Sequence, residues 1–278
     1  MEELKLKVLF SGPFDFERTF NKRQIPFYLF ERRNSSFLTV VDVLGKKVLV
    51  ELHPDLSLKI FSEDEKLEKK VVDGVNTSII YLLWAEYELD NFYERFSMEG
   101  RIKLLIERNW GARLLRSFDL DFATIASILL QDVKELGKGI RKLKEKFGEE
   151  LEFEGRKVNY LKFNVEELSK RAEEISEFQT LRSFLIKMRE KKYKVENLWN
   201  KSTEKIVEFF RNMGVEWFNS ELIALYGFGR SDTFPINEEI KSKVNEIFGK
   251  DFDLENCYKF VRDYFGNLSS IFWLYLVI

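Results

Sequence analysis

Residues 211–244 read RNMGVEWFNSELIALYGFGRSDTFPINEEIKSKV and decide the fold. Gly214 follows a helical run and predicts its end, because glycine accepts the left-handed backbone that often closes a helix. The apolar run around Leu222 predicts a second helix, which Gly227 ends. Asn237 is a suitable N-cap for a third helix. The stretch therefore predicts two helices joined by a tight turn, then a loop and a further helix.

The N-terminal part of the chain has the patterning of strands. Hydrophobic residues alternate in LKLKVLF, and aromatic and β-branched runs between turn residues follow it. The predicted strands span residues 4–10, 27–33, 37–43, 48–52 and 56–61. From about residue 78 the period becomes helical. We therefore predict an α+β protein, in which an N-terminal antiparallel β domain covers residues 1–95 and an all-α domain covers residues 96–278.

Composition excludes several classes of protein. The chain has one cysteine, Cys257, and one histidine, His53, so it lacks an internal disulfide and the ligands of a zinc or iron–sulfur site. We therefore expect neither a metal nor another cofactor. The absence of a long apolar run and of a signal peptide predicts a cytoplasmic protein without a membrane span. Three Gln beside 45 basic and 47 acidic residues favour a thermophilic source.

The segment GFGRSDTFPINEEIKSKV, residues 227–244, resembles the Gly/Pro–Asp segment of the helix-hairpin-helix DNA glycosylases, in their 8-oxoguanine and 3-methyladenine II branch. In that family the last acidic residue of the pattern is the catalytic carboxylate, and the resemblance places it at Asn237. The nucleophilic lysine of members that also cleave the backbone falls on Phe218. The family's Gly-Val-Gly hairpin falls on residues 214–216, GVE. The resemblance thus implies a glycosylase frame with altered catalytic residues.

Two further segments carry the same resemblance. GPFDFERTF, residues 12–20, is similar to the opening of the family's β domain. Residues 110–148 resemble the segment in which residues after a buried helix wedge into the DNA stack. The wedge position falls on Gln131 and Asp132, although Gln131 is equally well interpreted as the end of a core helix. Asp132 fits less well, because DNA phosphates repel a carboxylate.

The resemblance implies a DNA-binding surface and a base pocket. The implied DNA contacts are Gln131, Asp132, Lys134, Lys138, Gly214 and Val215. The implied pocket residues are Phe218, Phe272 and Trp273, and burial in the core is an equal interpretation for the last two. The basic clusters at 134–146 and 182–194 are interpreted either as ordinary solvated helix faces or as contacts to DNA phosphates, and the net charge is −2. Clusters on opposite sides of the molecule would weaken the DNA interpretation.

The substitution at Asn237 alters the expected chemistry. A carboxylate stabilises the oxocarbenium-like transition state of glycosidic cleavage, and the loss of one such group costs about 3 kcal/mol. Asp232 and Glu238 are the remaining candidate carboxylates, although Glu238 points about 100° away from Asn237 along a helix. Phe218 cannot form a Schiff base, so we do not expect strand cleavage by the usual route.

Two functions stay open after these observations. The first is recognition of a flipped damaged base in double-stranded DNA, with weak or non-standard monofunctional excision. The second is a catalytically inactive family member that binds lesions or other proteins. A generic α+β protein unrelated to the family is a third interpretation. In each case we expect a monomer that does not bind a membrane.

Overall fold

The computed structural model describes residues 2–5, 8, 10, 12–62, 67–85, 87 and 89–278. Its strands are β1 (Glu2–Lys5), β2 (Glu31–Arg33), β3 (Ser36–Val43), β4 (Lys46–Leu52), β5 (Ser57–Phe61), β6 (Glu149–Phe153) and β7 (Arg156–Tyr160). The first five form an antiparallel sheet in the order β1-β5-β4-β3-β2, and β6 pairs with β7 as a separate hairpin. The predicted strands at 37–43, 48–52 and 56–61 are therefore confirmed.

Helices make up most of the remaining chain. Their bounds are α1 (Phe16–Thr19), α2 (Lys69–Leu83), α3 (Leu89–Phe96), α4 (Gly100–Arg108), α5 (Leu120–Leu129), α6 (Leu136–Phe147), α7 (Val165–Lys170), α8 (Gln179–Lys191), α9 (Thr203–Asn212), α10 (Trp217–Tyr226), α11 (Glu238–Phe248), α12 (Leu254–Phe265) and α13 (Ser269–Val277). The predicted N-cap at Asn237 is confirmed, because its Oδ1 accepts from the N–H of Ile240 at 2.9 Å. None of the described helices is both long and apolar enough to cross a membrane.

The strand predicted at residues 27–33 is only partly present. Residues Ile25–Leu29 form a 3₁₀ turn instead, and β2 begins at Glu31. Pro26 explains the difference, because it lacks the N–H that a strand would pair and its fixed φ suits the first turn of a helix. In the predicted strand at 4–10, residues 6, 7 and 9 lie outside the described residues, as do residues 63–66 of the charged run 63–70.

The buried hydrophobic side chains form three clusters among the described residues. One lies between the sheet and α2, one lies among the helices, and a smaller one joins Leu49 and Phe61 of the sheet to Phe153 of β6. Helix α2 packs Val71, Val75 and Ile79 on the sheet, where they join Val48 and Val50 of β4. The helical core starts along the chain with Ile25 and Trp84 and continues to the C-terminal helix. The domain boundary near residue 95 stays a prediction.

The buried side chain of Arg113 contacts both the segment before α1 and the linker after α2. Its side chain is 2% exposed. Its guanidinium donates to the backbone carbonyls of Tyr87 (2.7 Å) and Pro13 (3.3 Å). Burial lowers the pKa of Arg113, but the carbonyls around it replace part of the lost hydration. The linker after α2 and the segment before α1 are thereby held against one side chain.

Candidate functional site: a cavity beside a helical hairpin

A tight turn joins α9 to α10, and we call residues 211–218 the hairpin. Gly214 lies in it at φ +95°, which glycine adopts without the strain that a side chain would bring. The N–H groups of Gly214 and Val215 donate to the carbonyls of Arg211 (2.9 Å) and Phe210 (3.0 Å), which closes α9. The predicted helix end at Gly214 is therefore confirmed.

Gln131, just after α5, contacts the hairpin. Its Oε1 accepts from the N–H of Glu216 at 2.7 Å, and its Nε2 is buried without a hydrogen-bond partner among the described residues. Three successive hairpin N–H groups, at residues 214–216, are thus bonded within the protein. A phosphate at this hairpin would have to use neighbouring side chains or the N–H groups in the first turn of α10.

Asp132 binds the start of α8. Its two carboxylate oxygens accept from the N–H groups of Thr180 and Leu181, each at 3.0 Å. A carboxylate is favourable there because the first N–H groups of a helix lack partners and carry partial positive charge. Both oxygens of Asp132 are therefore engaged at the start of α8, which corrects the expected DNA contact of this residue to a structural role. Repulsion between a free carboxylate and DNA phosphates then no longer has to be explained.

A cavity of about 870 Å³ opens beside the hairpin. It lies where the loop after α1 meets the start of α6, helices α10 and α11, and the end of α13. Its lining residues are Lys22, Arg23, Ile25, Tyr28, Leu130, Val133, Lys134, Glu135, Leu136, Gly137, Lys138, Arg141, Phe218, Leu222, Asn237, Glu239, Ile240, Trp273 and Val277. Ligand sites commonly have volumes of about 300–1,000 Å³, so the space suits a small molecule or a nucleotide.

Aromatic and aliphatic side chains form one wall of the cavity. Phe218 and Leu222 come from α10, and Trp273 comes from α13. Trp273 is 2% exposed, and its Nε1 has no hydrogen-bond partner among the described residues. The structure thus brings Phe218 and Trp273 together, as the interpretation of both as pocket residues requires.

Phe272 lies in the core instead of on the cavity wall. It is fully buried, and its ring stacks on Phe265 with centroids 4.1 Å apart. Adjacent residues of a helix point about 100° apart, so Phe272 and Trp273 cannot face the same space. The structure therefore corrects the interpretation of Phe272 as a pocket residue, whereas the base-pocket role of Trp273, which lines the cavity, stays a prediction.

Cationic side chains surround the cavity. Lysines and arginines at five positions line it, namely Lys22, Arg23, Lys134, Lys138 and Arg141. Its two carboxylates, Glu135 and Glu239, are each paired with a lysine, at 2.8 Å to Lys138 and 3.0 Å to Lys243. The local balance is therefore positive, although the net charge of the whole chain is −2. Such a balance favours an anionic ligand.

Solved structures share the fold of this protein over almost the whole chain. A structure of MBOgg1 in complex with a low affinity DNA ligand is 23% identical and has a TM-score of 0.76, over 96% of this chain and 91% of that one. The 8-oxoguanine glycosylase/lyase of Clostridium acetobutylicum, in complex with double-stranded DNA containing cytosine opposite 8-oxoG, is 18% identical with a TM-score of 0.75, over 96% of this chain and 91% of that one. The 3-methyladenine DNA glycosylase from Archaeoglobus fulgidus is 17% identical with a TM-score of 0.78, over 100% of this chain and 97% of that one.

The chain has the fold of the helix-hairpin-helix DNA glycosylases. No family model matches the sequence, and no curated protein matches it either. The glycosylase fold therefore rests on the structural likeness, and the side chains described above decide what this version of it can do.

Within the glycosylase fold, Asn237 lines the cavity as the N-cap of α11. Because its Oδ1 accepts from Ile240, its Nδ2 remains as the donor on that side chain. The neighbouring Glu238 is 75% exposed in its side chain, pairs with Lys241 and does not line the cavity. The carboxylate of α11 that does line it is Glu239, which the sequence interpretation passed over.

The charge of Glu239 is already matched. A hydrogen bond from Lys243, together with the positive charge of Arg23, lowers the pKa of Glu239. A carboxylate with a lowered pKa is ionised at neutral pH, but one held by a lysine is a weaker stabiliser of a further positive charge. The described cavity thus has an amide at residue 237 and a paired carboxylate at its rim.

Asp232 is engaged away from the cavity. Its oxygens accept from Thr203 Oγ1 at 2.7 Å and from Arg262 at 2.8 Å, and it does not line the cavity. Arg262 also pairs with Glu204 at 2.9 Å. The structure therefore assigns Asp232 to an ion pair between the loop before α11 and helix α12, and it does not support the predicted catalytic role.

Glu221 is a buried acid that the sequence interpretation missed. It is fully buried on α10, where it accepts from the hydroxyl of Tyr258 at 2.7 Å and from the N–H of Phe234 at 3.1 Å. Burial raises the pKa of Glu221. Phe234 lies three residues before Asn237, so Glu221 fixes the loop that leads to the cavity. The signal for it was a single acid within the apolar run ELIALY.

The two basic clusters divide between several contacts. In the first, Lys134, Lys138 and Arg141 line the cavity, whereas Lys142 pairs with Glu177. In the second, Lys187 donates to the carbonyl of Met213 in the hairpin at 2.9 Å, and other members pair with acids, as Arg189 does with Glu173. Each cluster therefore contributes cations near the cavity or the hairpin, and some of its other members pair with acids.

Lys22 and Arg23 could not be found from local sequence. They precede α2 by more than forty residues, in a loop between α1 and the 3₁₀ turn. Only the packing of that loop against α6, α10 and α11 brings them to the cavity. No motif around them indicates a ligand.

Proposed function

We propose that the protein binds double-stranded DNA and takes an extrahelical damaged base into the cavity beside the hairpin, with glycosidic cleavage slow or absent. The observation that carries this proposal is the cavity itself, which has an aromatic wall and a cationic rim. Enzymes of base repair read a flipped base by stacking and by hydrogen bonds in such a space. Phosphates on either side of that base would interact with the rim.

Slow or absent cleavage follows from the groups at the cavity. Asn237 offers a neutral amide where the family resemblance places the catalytic carboxylate, and Asp232 and Glu238 are engaged elsewhere. Loss of the charge costs about 3 kcal/mol, or 10²–10³ in rate. Binding of the base does not depend on that charge.

Binding and chemistry are tested separately. Fluorescence anisotropy over a salt series would measure affinity for duplexes that carry 8-oxoguanine, an alkylated purine, uracil, hypoxanthine or an abasic site. We expect one lesion to bind at least tenfold more tightly than intact duplex, with affinity falling steeply as salt rises. Lys134→Ala should weaken all duplexes about equally and reduce the salt slope by about one.

Chemistry is measured by single-turnover excision of the lesion that binds best, with Asn237→Asp beside the wild type. We expect little excision by the wild type and a gain of about 10²-fold in the variant. Equal affinity of the wild type for intact and damaged duplexes would refute lesion binding. Fast excision by the wild type would refute the proposal that glycosidic cleavage is slow or absent.

A second candidate function is excision supported by Glu239. The specific observation is that Glu239 is the carboxylate of α11 that lines the cavity. Wild-type excision that is lost in Glu239→Gln and kept in Glu238→Gln would establish this function. Loss in neither variant would exclude it.

A further inference from the structure

The backbone that carries Arg23 is fixed at the mouth of the cavity. The Oδ1 of Asn21 accepts from the N–H of Arg23 at 2.9 Å. Gln24 is fully buried, and its Nε2 donates to the carbonyls of Thr19 (2.7 Å) and Arg113 (2.8 Å). Its Oε1 accepts from the N–H of Leu115 at 2.8 Å. Arg23 therefore stands on a preorganised turn, as a residue that reads a ligand should.

The guanidinium of Arg23 is available to a ligand. It makes no hydrogen bond within the described ranges, and it lines the cavity with Phe218 and Trp273. It lines the cavity together with Tyr28 and with Glu239 of α11. Arginine presents several N–H donors in a planar fork, which matches two acceptors side by side.

The other polar groups on the wall are donors as well. The Nδ2 of Asn237 is its remaining hydrogen-bonding group toward the cavity, because Oδ1 serves Ile240. The carboxylates of Glu135 and Glu239 are occupied by Lys138 and Lys243. The cavity is thus matched to a ligand that presents acceptors.

We propose that Arg23 makes the cavity selective, among extrahelical damaged bases, for a purine whose O6 and N7 are both acceptors, as in hypoxanthine and xanthine. Arginine binds that pair of atoms with two parallel hydrogen bonds. In 8-oxoguanine N7 carries a hydrogen, and in an N7-alkylated purine it carries a carbon, so neither base offers the pair. A cationic alkylated base is also repelled by the cationic rim. This inference rests on the proposed binding of an extrahelical base.

The test uses duplexes that differ in one atom. Anisotropy at one salt concentration would compare hypoxanthine with 7-deazahypoxanthine, in which C–H replaces N7, and with 8-oxoguanine, each opposite cytosine. Hypoxanthine and its deaza analogue keep the same pairing edge, so the cost of flipping is matched. We expect hypoxanthine to bind about tenfold more tightly than the analogue, which is within the discrimination a two-bond contact gives.

Variants assign the selectivity to Arg23. Arg23→Leu removes every donor of this side chain, so the ratio of the two dissociation constants should fall to about one. Lys22→Ala is the matched control, because it removes a neighbouring cation of the same cavity. It should weaken both duplexes equally and leave their ratio unchanged. Circular dichroism would verify that each variant is folded.

Several outcomes would overturn the inference. For the wild type, a ratio of the two dissociation constants within twofold of one would show that N7 is not contacted. Tighter binding of 8-oxoguanine than of hypoxanthine would show the same. A ratio that survives Arg23→Leu would assign the selectivity to another group. Failure of the wild type to bind any duplex would overturn the proposed function together with the inference, whereas damage-dependent binding without N7 discrimination would overturn the inference alone.

Discussion

Replacing Glu221 tests whether a buried acid holds the cavity loop in place. In Glu221→Ala the hydroxyl of Tyr258 and the N–H of Phe234 lose their acceptor, in a region where Glu221 is fully buried. Each orphaned buried donor costs about 1–3 kcal/mol. The raised pKa of Glu221 shows that burial of its charge is unfavourable, and removing that charge returns part of the cost. We expect a net loss of about 3 kcal/mol in the free energy of unfolding.

Glu221→Gln separates the hydrogen bonds from the charge. In the acid, Phe234 and Tyr258 donate to different oxygens of the carboxylate. A glutamine keeps one oxygen for Phe234, and its NH₂ must face Tyr258, whose hydroxyl has to turn and accept. We expect a loss of about 1 kcal/mol, which is one neutral hydrogen bond.

The dependence on pH gives a second readout for Glu221. Its folded-state pKa is raised, so the folded protein binds a proton more tightly than the unfolded chain. Stability is therefore greatest below the unfolded pKa and decreases as pH rises from about 4.5 through the folded value. Glu221→Gln should flatten that decrease.

Urea unfolding followed by circular dichroism at pH 5 and pH 8 measures both effects. Glu208→Ala, an exposed acid on α9, is the matched control and should lie within about 0.5 kcal/mol of the wild type. The reasoning is refuted if Glu221→Ala also lies within that margin. If Glu221→Gln is as unstable as Glu221→Ala, the charge and not the hydrogen bonding carries the contribution.

Three other substitutions give direct tests. Burial raises the pKa of Asp119 to about 7, above its unfolded value of 3.8, so stability should fall as pH rises from about 4 to 7. Asp119→Asn keeps the N-cap of α5 and should remove most of that fall in stability. Melting temperatures at pH 5 and pH 8 would measure the effect, and an unchanged pH dependence would contradict the prediction. Gly214→Ala places a side chain at φ +95° and should cost about 1–2 kcal/mol in urea unfolding, whereas an unchanged midpoint would argue against strain. Arg113→Leu removes the buried donor to the carbonyls of Tyr87 and Pro13 and should lower the free energy of unfolding by about 3 kcal/mol. A melting temperature equal to that of the wild type would be the contrary result.

Local patterns predicted the elements that depend on near neighbours in sequence. Gly214 ends α9 and Asn237 begins α11 because backbone conformation and capping bonds act within a few residues. The strands of the central sheet followed from their β-branched composition. Pro26 prevents a strand at the start of residues 27–33. Its effect is local and could have been predicted, but the aromatic run that follows it was given more weight.

Long-range partners were beyond the reach of these patterns. Asp132 has its hydrogen-bond partners 48 and 49 residues away at the start of α8, so its role depends on how helices pack. Phe272 and Trp273 are neighbours of similar character, and only the orientation of α13 decides which one faces the cavity. Arg23 reaches the cavity through the docking of a separate segment, for which no local signal exists.

The bond from Asn237 to Ile240 has a consequence for how this protein changes over generations. Aspartate and asparagine cap a helix about equally well, so exchange of one for the other at residue 237 leaves folding almost untouched. The codons of the two residues differ by a single nucleotide. Selection for a folded chain therefore does not oppose drift between them, and only selection for cleavage would. A lineage can lose or recover the carboxylate in one mutational step while the surrounding architecture persists.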